Sequence, residues 1–195
     1  NMFASDPGNN RVLRYPAASL DAGSNEPAAD VVLGQSTFDS KASQIVGGDR
    51  KSKTGLGSPS GLVLDQAGRL FVCDVLNRVV VYTPPFTNGK AASRVMGVVP
   101  TSYAASDISL GKVANNSFFP PEGVFTIGNL PFVVDTYNNR VVRFANYDNW
   151  AAETATVVSP SATGVLGQVD YGSSDINRGL TEPTAFTLSA PMAGL

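Results

Sequence analysis

Three carboxylate–guanidinium pairs recur along the chain: Asp6 with Arg11, Asp74 with Arg78, and Asp135 with Arg140. A planar guanidinium can meet a carboxylate through two parallel hydrogen bonds, which suits either recognition or a structural clamp. Repetition favours the clamp, because turn chemistry recurs in every copy of a motif and catalytic groups seldom do. The aspartates are expected to accept hydrogen bonds from turn amides or to pair with the nearby arginines. Imidazole chemistry is excluded outright, since the 195 residues include no histidine. That removes the commonest general base, every Ser-His-Asp or Cys-His site, and zinc sites built on histidine. The one cysteine, Cys73, lies in an apolar strand pattern and reads as a buried, inert thiol. No catalytic residue and no metal-ligand set is assigned.

The elements that must position these pairs are short strands. "MFASDPGNNRVLRY" (2–15), "FVCDVLNRVVVY" (71–82) and "FVVDTYNNRVVRF" (132–144) each read as strand, tight polar turn, strand. Asparagine tolerates positive φ, so the "NN" turns fit. "DVLNR" is one residue shorter and requires a different turn type. "DQAGR" (65–69) and "GN" (128–129) read as a further hairpin turn each. A strand after a proline precedes each unit, at "SPSGLVLD", "PPEGVFTI" and "EPTAFTLS", with Pro59, Pro121 and Pro183 at equal intervals of 62. A fourth strand carries the core "VVLGQ", "RVMG" or "GVLGQ", with glycines Gly34, Gly97 and Gly167. A period of 60 to 70 residues with four short strands predicts an all-β chain of β-propeller blades.

Composition agrees with that class. Charged residues are only 15%, the net charge is −2, and Gly (19) and Pro (13) are plentiful. Such a chain builds turns and strands more readily than helices, and it has no field to gather nucleic acid or an acidic membrane surface. No run reaches the roughly 18 apolar residues of a membrane-spanning helix. "GGDRKSKTG" (47–55) lacks the spacing of a phosphate loop and reads as a solvated loop.

The sequence "PPEGVFTIGNLPFVVDTYNNRVVRF" (120–144) resembles the NHL-repeat family of β-propellers, and the "VLGQ" cores resemble a bacterial branch of it with enlarged repeats. The resemblance implies four-stranded antiparallel blades with the first strand lining a central channel, and no single activity. The expected blades run over about 56–97 and 118–168, with a third split between 1–35 and 180–195. Long loops occupy 36–58, 98–120 and 169–182. Three blades close a ring poorly. Two copies sharing their split blades would make a six-bladed homodimer; a piece of a longer six-bladed protein is the alternative.

The long loops are expected on the end of the blades that carries the Asp-to-Arg turns, crowning one mouth of the channel. Tyr103, Asp107, Tyr171 and Asp175 in those loops, with Glu122 near the channel, are the candidate ligand-binding residues. They suit a protein, peptide or glycan. No cofactor is expected; a calcium ion held by Glu122 from two copies and backbone carbonyls stays open. The expected function is a non-enzymatic binding or assembly scaffold, with a secreted or periplasmic location favoured. The alternative is a propeller lyase or hydrolase that uses carboxylates, and calcium if present, without histidine.

Overall fold

A computed structural model describes residues 1–21, 25–45, 49–98, 113–155 and 157–192. Its strands form three antiparallel sheets. The first contains β1 (Met2–Asp6), β2 (Arg11–Tyr15) and β3 (Val31–Leu33), in that order. The second contains β4 (Leu62–Leu64), β5 (Leu70–Asp74), β6 (Arg78–Tyr82) and β7 (Arg94–Met96). The third contains β8 (Pro121–Ile127), β9 (Leu130–Asp135), β10 (Arg140–Arg143) and β11 (Gly164–Leu166). Each sheet is an up-and-down meander of neighbouring strands. Apart from short 3-10 turns, the described residues hold one helix, α1 (Ala17–Asp21). None of their helices is long and apolar enough to cross a membrane.

The middle sheet explains the packing. Every residue of β5 and β6 is buried, so both faces of this sheet are covered. Strand alternation sends Leu70, Val72, Val80 and Tyr82 to one side, where they pack with Val12, Val31 and Leu33 of the first sheet. Phe71, Cys73, Val79 and Val81 point the other way and pack with Val124, Val133, Val142 and Phe144 of the third. Burying each such Val, Leu or Phe stabilises the fold by roughly 1.5–3 kcal/mol. The result is a row of three sheets packed face to face, and among the described residues no strand pairing closes it into a ring.

Local geometry follows the repeat. Asn10, Asn77 and Asn139 all adopt positive φ at the end of their turns. The two longer turns contain a 3-10 turn, Pro7–Asn9 and Thr136–Asn138. The shorter middle copy makes a plain hydrogen-bonded turn over 75–77, so the missing residue does change the turn type.

The third copy of the proline strand needs correction. "EPTAFTLS" forms no strand, and Phe186 within it is 71% exposed. The residue that repeats Pro59 and Pro121 is Pro191, not Pro183. Three observations fix this register. Leu56, Phe118 and Leu188, each three residues before its proline, pack against Gly34, Gly97 and Gly167 respectively. Ser58 and Ala190, just before Pro59 and Pro191, share a positive φ of 43°. Their amides donate to the side-chain carbonyl oxygens of Asn10 and Asn139, at 2.9 and 2.8 Å. The last loop is therefore eight residues longer than equal spacing implies. The approaches after each proline repeat in the same register: Gly61 closely faces the Glu122 carbonyl, and Gly123 faces the Met192 carbonyl.

Candidate functional site

The three Asp–Arg pairs form ion pairs of similar length, 2.7 Å for Asp6–Arg11, 2.9 Å for Asp74–Arg78 and 2.7 Å for Asp135–Arg140. Each stands where two strands meet a turn: β1 and β2, β5 and β6, β9 and β10. The aspartates also accept from the chain around them. Asp74 accepts from the Gly57 and Leu76 amides at 2.9 and 2.8 Å. Asp135 accepts from the Phe119 amide at 2.7 Å and the Asn138 side chain at 2.9 Å. Asp6 accepts from the Asn9 side chain.

The arginines spend their remaining donors on the long loops. Arg78 donates to the carbonyls of Arg50, Ser52 and Gly55, at 2.9, 2.6 and 2.9 Å. Arg140 donates to the carbonyls of Ala114 and Ser117 in the loop before it and to Tyr171 in the loop after it. Arg11 donates to the Phe38 carbonyl. Loop 36–58 is thus held near its start by one sheet and near its end by the next. The described parts of all three loops meet the turn end of the sheets.

Two further groups, the glutamines that end the VLGQ cores, do similar work. The Gln35 side chain, fully buried, donates to the carbonyls of Asn9, Asn10 and Ala42. Gln168 in the third copy donates to the carbonyls of Asn139 and Asp175. The middle copy has Val98 at that position. There Arg50 takes over, donating to the equivalent carbonyls of Leu76 and Asn77 and also to Gly97. Arg50 belongs to the segment read from sequence as a solvated loop, so that expectation is corrected for this residue: it is half-buried and serves as a pin.

The candidate ligand-binding residues are placed unevenly. Tyr103 and Asp107 lie outside the described residues. Tyr171 is half-buried, packed against the core between the second and third sheets, with its carbonyl fixed by Arg140. Asp175 is exposed in the same loop, and its carbonyl accepts from Gln168. Glu122 is the extra residue of a register shift in β8, between Pro121 and Gly123, on an edge strand of the third sheet. Tyr171 and Asp175 therefore share a loop, and Glu122 stands on β8, next to Pro121, which pairs with Asp135. Among the described residues, no group of three or more His, Cys, Asp or Glu side chains is arranged to hold a metal ion. The Cys73 thiol is pushed well above its ordinary range by burial, with the charges of Glu122 and Asp74 adding to the effect.

Burial separates the titration of the repeated aspartates. At Asp6 desolvation is the largest single influence and pushes the carboxyl up, but hydrogen bonds from Asn9 and Arg11 with the Arg11 charge together outweigh it and hold the carboxyl below the ordinary 3.8. At Asp135 desolvation dominates and raises the carboxyl above 3.8, against the pull of Arg140. The signs for stability are opposite. Asp6 contributes above pH 3.8, and its contribution is lost as pH falls through its lower folded value. The contribution of Asp135 is present below 3.8 and lost as pH rises through its raised folded value. Carboxyl carbon shifts followed by NMR should show Asp135 protonating before Asp6 as acid is added; the reverse order would contradict this electrostatic account.

No protein-family model matches the chain, and no curated protein matches it.

Proposed function

We propose that the chain is an arc of a β-propeller resembling the NHL-repeat family, and that it is a non-enzymatic binding scaffold that presents its long loops to a protein, peptide or glycan. One observation carries the reading. The charged residues of the repeated motif are consumed in holding loop carbonyls, so the motif builds a rigid rim. The row of face-to-face meanders, with first strands along one edge and the loops at one end, is the arrangement successive propeller blades would have. In this reading a second copy completes the ring to six blades. The segment that begins at Pro191 lies beside β1 of the second copy, in the place β4 takes beside β5.

The binding surface is the loop rim around Tyr171 and Asp175. Aromatic rings and amides beside carboxylates suit sugar and peptide recognition. Titration of the 195-residue chain against glycan and peptide panels, followed by amide shifts, should perturb Tyr171, Asp175 and their loop neighbours. Replacing Tyr171 with alanine should weaken that binding at least about tenfold, an effect of roughly 1.4 kcal/mol or more. Turnover of a lactone, ester or glycan that disappears in Glu122→Gln would overturn the scaffold reading in favour of an enzyme.

A further inference from the structure

We propose that the link from β10 to β11, with the strand β7 beneath it, forms a binding site for a carboxylate-bearing sugar, a hexuronate residue. Arg94 reads the carboxylate and Trp150 walls the ring. The site lies at the end of the sheets away from the Asp-to-Arg turns, because Met96 pairs with Val79 beside the turn and Arg94 pairs with Val81 farther from it. It is separate from the loop rim and stands or falls without it. It also lies where the repeat is broken. Val31, Arg94 and Gly164 hold one repeat position, each paired with the neighbouring strand at Arg14, Val81 and Arg143 respectively. Of the three copies, the second alone has an arginine there. The link that covers it, 144–163, is longer than the equivalent link 83–93. Turn and packing residues recur from copy to copy, so an arginine and a link that depart together call for a reason of their own.

The link folds over the edge of the second sheet and leaves a cleft of about 270 Å³. Its cover is fixed at two points: the Ser159 hydroxyl accepts from the Gly97 amide at 2.9 Å, and the Ala151 carbonyl accepts from Arg94 Nη1 at 2.9 Å. Trp150 forms one wall. Its Nε1 donates to the Ala145 carbonyl at 2.8 Å, and Phe71, Phe144 and Tyr147 pack against its ring. The wall is therefore ordered before any ligand arrives, which lowers the cost of binding. The Arg94 guanidinium stands 5.5 Å from the ring centroid. Its side chain is only 12% exposed, and Nη1 alone makes a hydrogen bond among the described residues. Nε is buried without a partner and lies 3.8 Å from Glu153, beyond hydrogen-bonding range. A sheltered guanidinium with donors to spare is costly until an acceptor reaches it.

The chemistry of the lining names the ligand. Asn149 and Ser161 line the same cleft, both exposed, and neither side chain has a hydrogen-bond partner among the described residues. A cation beside an aromatic wall, with an amide and a hydroxyl near it, matches a ring that carries one carboxylate and several hydroxyls. The volume lies just below the range of about 300–1,000 Å³ for drug-sized ligands, which suits a single sugar residue. Charge agrees. Lys53 neutralises Glu153 at 2.6 Å, and Arg69 neutralises Asp148, the neighbour of Asn149. That leaves the charge of Arg94 in excess, with the exposed Arg143 at the edge of the cleft, where it donates to the Thr163 carbonyl at 3.0 Å. An anion is favoured there although the chain as a whole carries −2.

The experiment titrates the 195-residue chain with glucuronate, glucose, acetate and inorganic phosphate. It follows the emission of Trp150, the chain's one tryptophan, together with amide shifts over 149–151 and 161–163. Glucuronate should give a saturable change in both, and the other three should each bind at least about tenfold more weakly. Arg94→Gln should weaken glucuronate at least about tenfold. Asn149→Ala, at an exposed position, should keep its circular dichroism and weaken glucuronate about threefold or more. No saturable change with glucuronate overturns the proposal, and so does an equal response to glucose, acetate or phosphate. If Arg94→Gln does not fold, Asn149→Ala carries the test, and glucuronate binding that ignores it overturns the site. Shifts confined to 171–175 would assign the sugar to the loop rim, overturning this site and leaving the scaffold reading intact.

Discussion

Arg78→Met should cost the fold about 3–5 kcal/mol, the range for breaking a buried ion pair by removing one partner. Arg78 and Asp74 are both fully buried. Methionine has nearly the length of the arginine stem and none of its donors. The substitution leaves the Asp74 carboxylate with only the Gly57 and Leu76 amides. It also strips the carbonyls of Arg50, Ser52 and Gly55 of their shared donor. For a chain of this size the thermal midpoint should fall by roughly 6–20 °C. Arg143→Met, at an exposed position, is the control and should move the midpoint little. Arg78→Lys should recover part of the loss, since one ammonium serves fewer of the four acceptors. An unchanged midpoint in Arg78→Met would show that the clamp is dispensable.

The second large effect is expected at Gly97. Its φ is +86°, a conformation L side chains rarely adopt, and a Cβ there would stand 2.8 Å from Phe118 Cε2 and nearer still to Cδ2. The Phe118 ring is fixed edge-on against Phe144 at 5.9 Å, inside the core. Gly97→Ala therefore combines backbone strain of about 1–2 kcal/mol with overpacking of about 1–3 kcal/mol. The sum, roughly 2–5 kcal/mol, should appear as a lower midpoint in urea with an unchanged slope. Gly8→Ala, in open space, should be near neutral. Equal effects of the two substitutions would remove the argument that Gly97 is required by its neighbours.

Much of the fold is legible in the residues because β-branched runs and turn dipeptides act locally. "RVVVY" and "FVVD" are strands wherever they fall, and Gly68 and Gly128 sit in the hairpin turns their dipeptides imply. The Asp-to-Arg spacing is legible for the same reason, since both residues flank a single turn. Register across the long loops is harder. Pro183 and Pro191 both begin plausible apolar segments, and equal spacing selects Pro183. A leucine stands three residues before either proline, Leu180 before Pro183 and Leu188 before Pro191. Only packing separates them: Leu188 meets Gly167 as Leu56 and Phe118 meet their glycines, and Leu180 is exposed. The loop pins were less legible still. Gln35, Gln168 and Arg50 donate to backbone carbonyls, which every residue possesses, so no partner residue type marks the site. Arg50 replaces a missing glutamine from a loop more than 40 positions away in sequence, a substitution visible only in three dimensions.

The stitching of loop 36–58 between two sheets has a mechanical corollary. A strap anchored at both banks behaves as a tie-rod, so the gap between neighbouring sheets and the breadth of the rim form a single degree of freedom. A guest wedged among the straps would strain or relax the spacing beneath them. In the proposed binding role, occupancy of the rim and the spacing of the sheets would be linked equilibria, each shifting the other by the same factor.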